Sequence, residues 1–235
     1  TAETINFGTA TTVAFTNGAS NANAATLIAY KVESASIDVT DGTNNSTGAL
    51  TYDLDLTVNV GAANKLKYSV NPPASVASGA TWAGFDVSIA DAYGNARGSG
   101  IDTITLSEDG TGAFTGTTSK AAVNGLATFN DISYPVAHTI NVTASATGLT
   151  STPAFAVSVT AGAVSYLKVT AASGTVTAGG SLELAVTAYD SNNNVATGYT
   201  GNKSLTFSGL ANGLDGTVPT AETINFGTAA TIAFT

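Results

Sequence analysis

Residues 1–16 read TAETINFGTATTVAFT, and residues 220–235 read TAETINFGTAATIAFT. Fourteen of the sixteen positions agree at a constant offset of 219, and the two exceptions (Thr11 against Ala230, Val13 against Ile232) are mild. A match of that length marks one full period of a tandem repeat and the start of the next. Ile5 and Phe7 share a parity in the first copy, as do Val13 and Phe15. Ile224, Phe226, Ile232 and Phe234 repeat the pattern in the second. Small or polar residues lie between them, which is the period-two signature of half-buried strands. The chain reads as a window from a longer array of β modules, with these eight residues as its repeat or assembly strand.

Working outward, composition agrees with strands. Only 10% of the 235 residues are charged, and Thr, Ala, Gly, Ser, Val and Asn dominate. A hydrophobic fraction of 43% is enough to bury a core, unlike that of a disordered chain. Short apolar runs rich in Thr and Val, divided by 25 glycines, favour strands and turns over helices. Net charge is −9 and the seven basic residues are scattered, so no basic stripe exists to neutralise a nucleic acid. The absence of Cys removes disulfides and thiolate metal sites. No apolar run approaches the roughly 18 residues that span a bilayer.

Segment by segment, strands are expected at residues 26–32, 35–39 and 52–60, with a turn cluster at 41–48. A new module opens at LKYSV (66–70) and is cut by Pro72-Pro73, which cannot continue a ladder. Strands follow at 82–90, 102–106, 125–132, 138–144 and 155–159. About seven strands in about 100 residues, with turn signals every 8–15 or so, is a sandwich pattern. GAANKLK (61–67) and GAVSYLK (162–168) then align at an offset of 101, and VSIAD (87–91) is echoed by VTAYD (186–190). The period of 219 thus holds a module of 101 residues and, by subtraction, one of 118. The divisions are 1–63, the C-terminal part of one module; 64–161, a complete module; and 162–235, the N-terminal part of the next.

A strand ending in Asp, a Gly/Asn loop (AYGNARG, SNNNVATGYTG), a Thr/Leu/Phe strand and a later GLATF recur in this chain. In these residues it resembles the bacterial immunoglobulin-like (Big-type) tandem-repeat domains of large cell-surface and extracellular proteins. The resemblance implies an all-β fold of tandem immunoglobulin-like sandwiches and an exported protein. It leaves biology open, because such modules serve as stalks, spacers, filament cores and adhesins. Some surface-fibre domains of this type form Lys–Asn isopeptide bonds, for which Lys65, Lys67 and Lys168, with Asn64 beside the first, stand at module starts.

Candidate sites are few. His138 is the single histidine, so triads and histidine metal sites lack their parts; it is expected at a surface or edge, and the chain is not expected to be an enzyme. Asp190, Asn192 and Asn194 fall at D-x-N-x-N spacing, a partial calcium pattern without the later Gly and Glu. The equivalent Asp91, Tyr93 and Asn95 break that spacing, and Asx-rich turns form without any ion. No other cofactor is indicated. Trp82 reads as a core ring, while Tyr93 and Tyr199 lie in loops open to contact. Asn44, Asn45, Asn141 and Asn202 begin N-x-S/T sequons.

These features favour a structural repeat of an extracellular or cell-surface filament. Its partner is itself, head to tail, as an in-line array or by strand complementation between subunits. The alternative is an adhesin or carbohydrate-binding module that meets surface glycans through Tyr93, Tyr199 and the insertion at 211–219.

Overall fold

A computed structural model describes residues 7–20, 26–47, 52–222 and 224–235. Among these residues the chain is built of strands and turns, with no helix. Before residue 60 lie β1 (Phe15–Thr16), β2 (Ala19–Ser20), β3 (Glu33–Ile37) and β4 (Leu54–Val58). The central stretch holds β5 (Lys65–Val70), β6 (Ser75–Ala77), β7 (Phe85–Ala90), β8 (Thr103–Glu108), β9 (Ser119–Ala121), β10 (Leu126–Phe129), β11 (Thr139–Ser145) and β12 (Phe155–Thr160). The C-terminal stretch adds β13 (Val164–Ala171), β14 (Leu184–Asp190), β15 (Gly201–Thr206), β16 (Thr220–Ala221), β17 (Ile224–Asn225) and β18 (Ala229–Phe234).

The central strands form two sheets, ordered β10-β7-β5 and β6-β12-β11-β8-β9. Pro72 and Pro73 sit between β5 and β6 and stop the first strand. The chain then crosses to the other sheet, where β6 pairs in parallel with β12. The remaining pairs are antiparallel. This is the order of an immunoglobulin-like sandwich: first, second and fifth main strands in one sheet, third, sixth and seventh in the other.

Alternation decides what each sheet contributes. In β8 (TITLSE), Ile104 and Leu106 point inward between exposed Thr and Ser, and in β11 Ile140 and Val142 do the same. They meet Leu66, Phe85, Val87 and Ile89 of the smaller sheet, and the core closes over Phe129, Tyr134 and Val157. Trp82 joins this core, with its ring 5.4 Å from Phe114 and 6.3 Å from Phe85. The Tyr68 hydroxyl donates to the Val142 carbonyl at 3.0 Å, pinning one sheet to the other.

Asn124 (φ 52°) and Gly125 (φ 75°) turn the chain between β9 and β10, both in the left-handed region that a tight Asn-Gly turn requires. A Cβ at Gly125 would also collide with the Arg97 carbonyl. Gly125→Ala is expected to destabilise the central module by more than about 1 kcal/mol. A thermal melt followed by Trp82 fluorescence checks this.

The hydrophobic core runs from Leu66 to Val159. Outside it the strands are paired but thinly covered. β3 pairs with β4, β13 with β14, and β15 with β18, each as a two-stranded sheet among the described residues. Every residue of β13 is exposed. Some expected strands differ. Residues 26–32 form no strand; they run as irregular chain held by side-chain contacts from the next module. The strand expected from Trp82 begins at Phe85, and TVAFT contributes only Phe15–Thr16.

Candidate functional site

The structure concentrates its specific polar contacts at two junctions, and both are built the same way. β7 is followed directly by Asp91 and β14 ends at Asp190, and four residues after each aspartate stands an asparagine, Asn95 and Asn194. The intervening turn brings backbone N–H groups back onto the carboxylate. Asp91 Oδ1 accepts from Tyr93 N and Asn95 N, both at 2.9 Å; Asp190 Oδ1 accepts from Asn192 N and Asn194 N, again both at 2.9 Å. The other oxygen reaches the segment that enters the module. Gly61 N donates to Asp91 Oδ2 at 3.1 Å, and Gly162 N to Asp190 Oδ2 at 2.8 Å.

The asparagines extend this grip to the preceding module. A primary amide offers a donor and an acceptor side by side, so it can pair with the carbonyl of one residue and the N–H two residues on. Asn95 Nδ2 donates to the Tyr30 carbonyl at 2.7 Å, and its Oδ1 accepts from Val32 N at 3.0 Å. Asn194 Nδ2 donates to the Pro135 carbonyl at 2.8 Å, and its Oδ1 accepts from Ala137 N at 2.8 Å. Each Asn also donates back to its Asp.

Local contacts differ between the junctions. At the first, the Tyr30 and Tyr93 rings lie 4.6 Å apart, and Arg97 Nη1 donates to the Gly61 carbonyl at 2.8 Å. At the second, the Ser78 hydroxyl donates to Asp190, whose side chain is fully buried. Lys65 and Lys67 brace the first loop by donating to the Ala92 and Gly94 carbonyls, each at 2.8 Å. Tyr166 braces the second through Asn193 at 2.8 Å.

These donors set the acidity of the clamps. The Asn95 amide, helped by the N–H groups of Gly61, Asn95 and Tyr93, outweighs desolvation and holds Asp91 down at about 2. At Asp190, desolvation on its own would raise the pKa; hydrogen bonds from Ser78, Asn194 and Gly162 overcome it and leave the carboxyl well below the usual range. A folded pKa below the unfolded value of about 3.9 means that the stabilisation is complete above that pH and lost as pH falls through the folded value. The junctions are therefore expected to stay closed at neutral pH and to loosen only below about pH 4, the first by about pH 2 and the second, whose carboxyl lies lower, at more acid pH still. Energy transfer between labels on adjacent modules should fall in that window, and loosening above pH 5 would contradict it.

The calcium spacing is met differently. The structure brings Asp190, Asn192 and Asn194 together, but it surrounds Asp190 with N–H and O–H donors and turns Asn194 Oδ1 toward Ala137 N. A calcium ion needs converging oxygen acceptors, so this arrangement does not fit one. Chelator is expected to leave the melting temperature unchanged, as read by calorimetry with and without EDTA.

The duplicated stretch takes two forms. Ile5 lies outside the described residues. In the second copy β18 runs along β15 from Ala229↔Thr206 to Phe234↔Gly201. There Phe234 packs edge-on against Tyr199 at 4.9 Å, and Phe226 lies 6.4 Å from Phe207. Ile232 is half-buried, while Ile224, in the short β17, is exposed. In the first copy Val13 is half-buried, but Phe7 and Phe15, the counterparts of Phe226 and Phe234, are 74% and 68% exposed. Nearly identical sequences differ here because, among the described residues, only the second has a strand such as β15 alongside.

Other expected positions are dispersed. His138 is half-buried just before β11, with its ring edge-on to Tyr134 at 5.7 Å. Tyr93 is exposed at the first junction, and Tyr199 carries Lys203 Nζ over its ring at 4.6 Å. Lys65 and Lys67 face carbonyls, as described, and Asn141 Nδ2 donates to Asp109 at 2.8 Å. The Asp–Asn clamp itself joins residues that no spacing within one loop brings together. Its signal was the D-x-x-x-N shared by both loops at an offset of 99.

No family model matches the chain, and no curated protein does. Solved structures that resemble it include the Escherichia coli adhesin FdeC, at 22% identity over 67% of this chain and 50% of that one, with a TM-score of 0.37. A glycosyl hydrolase family 2 member from Bacteroides cellulosilyticus matches at 15% identity over 61% of this chain and 21% of its own, with a TM-score of 0.37. The β-glucuronidase of Parabacteroides merdae matches at 20% identity over 43% and 13%, with a TM-score of 0.34. The chain spans half or less of the length of these proteins. At such scores the fold rests on the chain's own strand pairing.

Proposed function

We propose that this chain is a structural repeat of an extracellular or cell-surface filament, built head to tail from immunoglobulin-like modules divided near residues 63 and 161. One observation carries the reading: both junctions are closed by the same Asp–Asn pair, reaching the same two backbone groups of the module before. A flexible linker would need none of these contacts. A rod that must hold its direction needs them at every joint. The chemistry is reach and cohesion rather than catalysis.

Antibodies raised against the central module test this. They are expected to decorate intact cells, or fibres shed from them, without permeabilisation; staining confined to the cell interior would count against the proposal. In the adhesin reading a glycan array would light up, whereas a structural repeat leaves it silent.

A further inference from the structure

We infer that Tyr30 and Tyr93 form a site of oxidative cross-linking, at which a carbon–carbon bond between the two rings joins the first module covalently to the central one. The bond needs only the first junction, whatever assembly the modules enter.

The clamp sets up the pair, holding each tyrosine by its backbone. Asn95 Nδ2 donates to the Tyr30 carbonyl at 2.7 Å, and Tyr93 N donates to Asp91 Oδ1 at 2.9 Å. The rings that leave these two points lie 4.6 Å apart, tilted by 56°. That is near the short end, about 4.5 Å, of the range for aromatic pairs, so the rings are already in contact. Holding two reactants together turns a chance encounter into a step within one molecule.

The clamp itself does not require tyrosine. At the second junction Pro135 takes the place of Tyr30, giving its carbonyl to Asn194, and Asn192 takes the place of Tyr93 beside Asp190. Both rings are present at one junction and both are absent at the other. They therefore add to the first junction something that its hydrogen bonds do not need. Tyr166 and Tyr189 also stack, 5.3 Å apart, but they face each other within the β13–β14 hairpin, where a bond joins nothing new.

Composition directs oxidation to these rings. Cys and Met are the side chains that ordinary oxidants attack first. This chain has neither, and its one Trp, Trp82, is 3% exposed. Tyr93 is 65% exposed, so an oxidant at the surface of the central module reaches the pair. The co-reactant is a peroxide, used by a haem peroxidase one electron at a time. Each phenol gives up one electron and its hydroxyl proton and becomes a phenoxyl radical. The two radicals join at ring carbons beside the hydroxyls, and each of those carbons passes its hydrogen to its own phenol oxygen. The product has lost two hydrogens in all. The peroxide takes the two electrons and two protons and leaves as two waters.

Peroxidase with hydrogen peroxide, added to a dilute solution of the 235-residue chain, tests the inference. The chain is expected to run as a monomer on a denaturing gel, to lose the mass of two hydrogen atoms, and to gain the blue fluorescence of a biphenol. Trypsin digestion of the denatured product should give residues 1–31 joined to residues 68–97. Tyr30→Phe and Tyr93→Phe keep the rings and should each lose that joined peptide, whereas Tyr166→Phe should retain it. Below about pH 4, where the unlinked first junction loosens, energy transfer between labels on the first and central modules should hold in the linked chain. Oxidised tyrosine without the joined peptide, links formed only between chains, or a joined peptide that survives in Y30F or Y93F overturns the inference. So does a linked chain whose energy transfer falls in acid as far as that of the unlinked one.

Discussion

Asp190→Ala is expected to release the C-terminal half from the central module while leaving the central fold intact. The carboxylate accepts from Gly162 N, Asn192 N, Asn194 N, Asn194 Nδ2 and the Ser78 hydroxyl, and the side chain is fully buried. Truncation removes the acceptor and strands those donors away from water. Leaving a buried donor without its acceptor costs about 1–3 kcal/mol, and here several donors lose theirs at once, more than a junction held mainly by polar contacts can absorb. Asn194 then loses the group that orients its amide and releases Pro135 and Ala137. Pulsed electron spin resonance between labels on the central and C-terminal parts should change from one narrow distance to a broad distribution. Limited proteolysis should find a new site near residues 160–163. Asp190→Asn keeps the shape but turns one acceptor into a donor facing other donors, so it should fall between wild type and Ala. A distance distribution as narrow in D190A as in wild type would remove the clamp from the account.

Phe85→Ala should have the largest effect on folding. Phe85 is fully buried; it stacks on Phe129 at 5.4 Å and meets Trp82 and Tyr68 at 6.3 and 6.4 Å. Removing a ring from such a cluster costs about 3–5 kcal/mol, a large fraction of the 5–15 kcal/mol or so that holds a domain together. For a module of this size the melting temperature should fall by roughly 15–30 °C. The contrast lies in Leu184, which takes the same place in β14 but is 45% exposed. Its truncation is expected to cost less than about 1 kcal/mol. Equal losses at the two positions would mean that both halves are already fully covered.

Much of the central module was legible because its signals are local. Pro72-Pro73 ends a strand wherever it occurs, Asn124-Gly125 dictates its own turn, and the alternation in TITLSE and TINVTAS names the inward face directly. What was not legible depends on partners distant in sequence. Residues 10–15 and 229–234 read almost alike, yet only the second set forms a full strand, because β15 lies beside it. Residues 26–32 have the composition of a strand but are held as irregular chain by Asn95. The clamps escaped for the same reason. Asn95 and Asn194 find their partners 57 to 65 residues upstream, across a module boundary. Along the chain, the Asp–Asn spacing looks like a turn or a partial ion loop; only the folded junction shows that the amide faces outward to the preceding module.

The measurement that bears most directly on a clamped array of sandwiches is the axial period of native fibres, taken from the Fourier transform of electron micrographs. Main strands of about six residues plus the loops at both ends make each module about 40 Å long, so alternating modules should give a repeat of about 80–90 Å along straight, stiff filaments. Native material without fibres, or fibres whose period is not built from that module length, would contradict it.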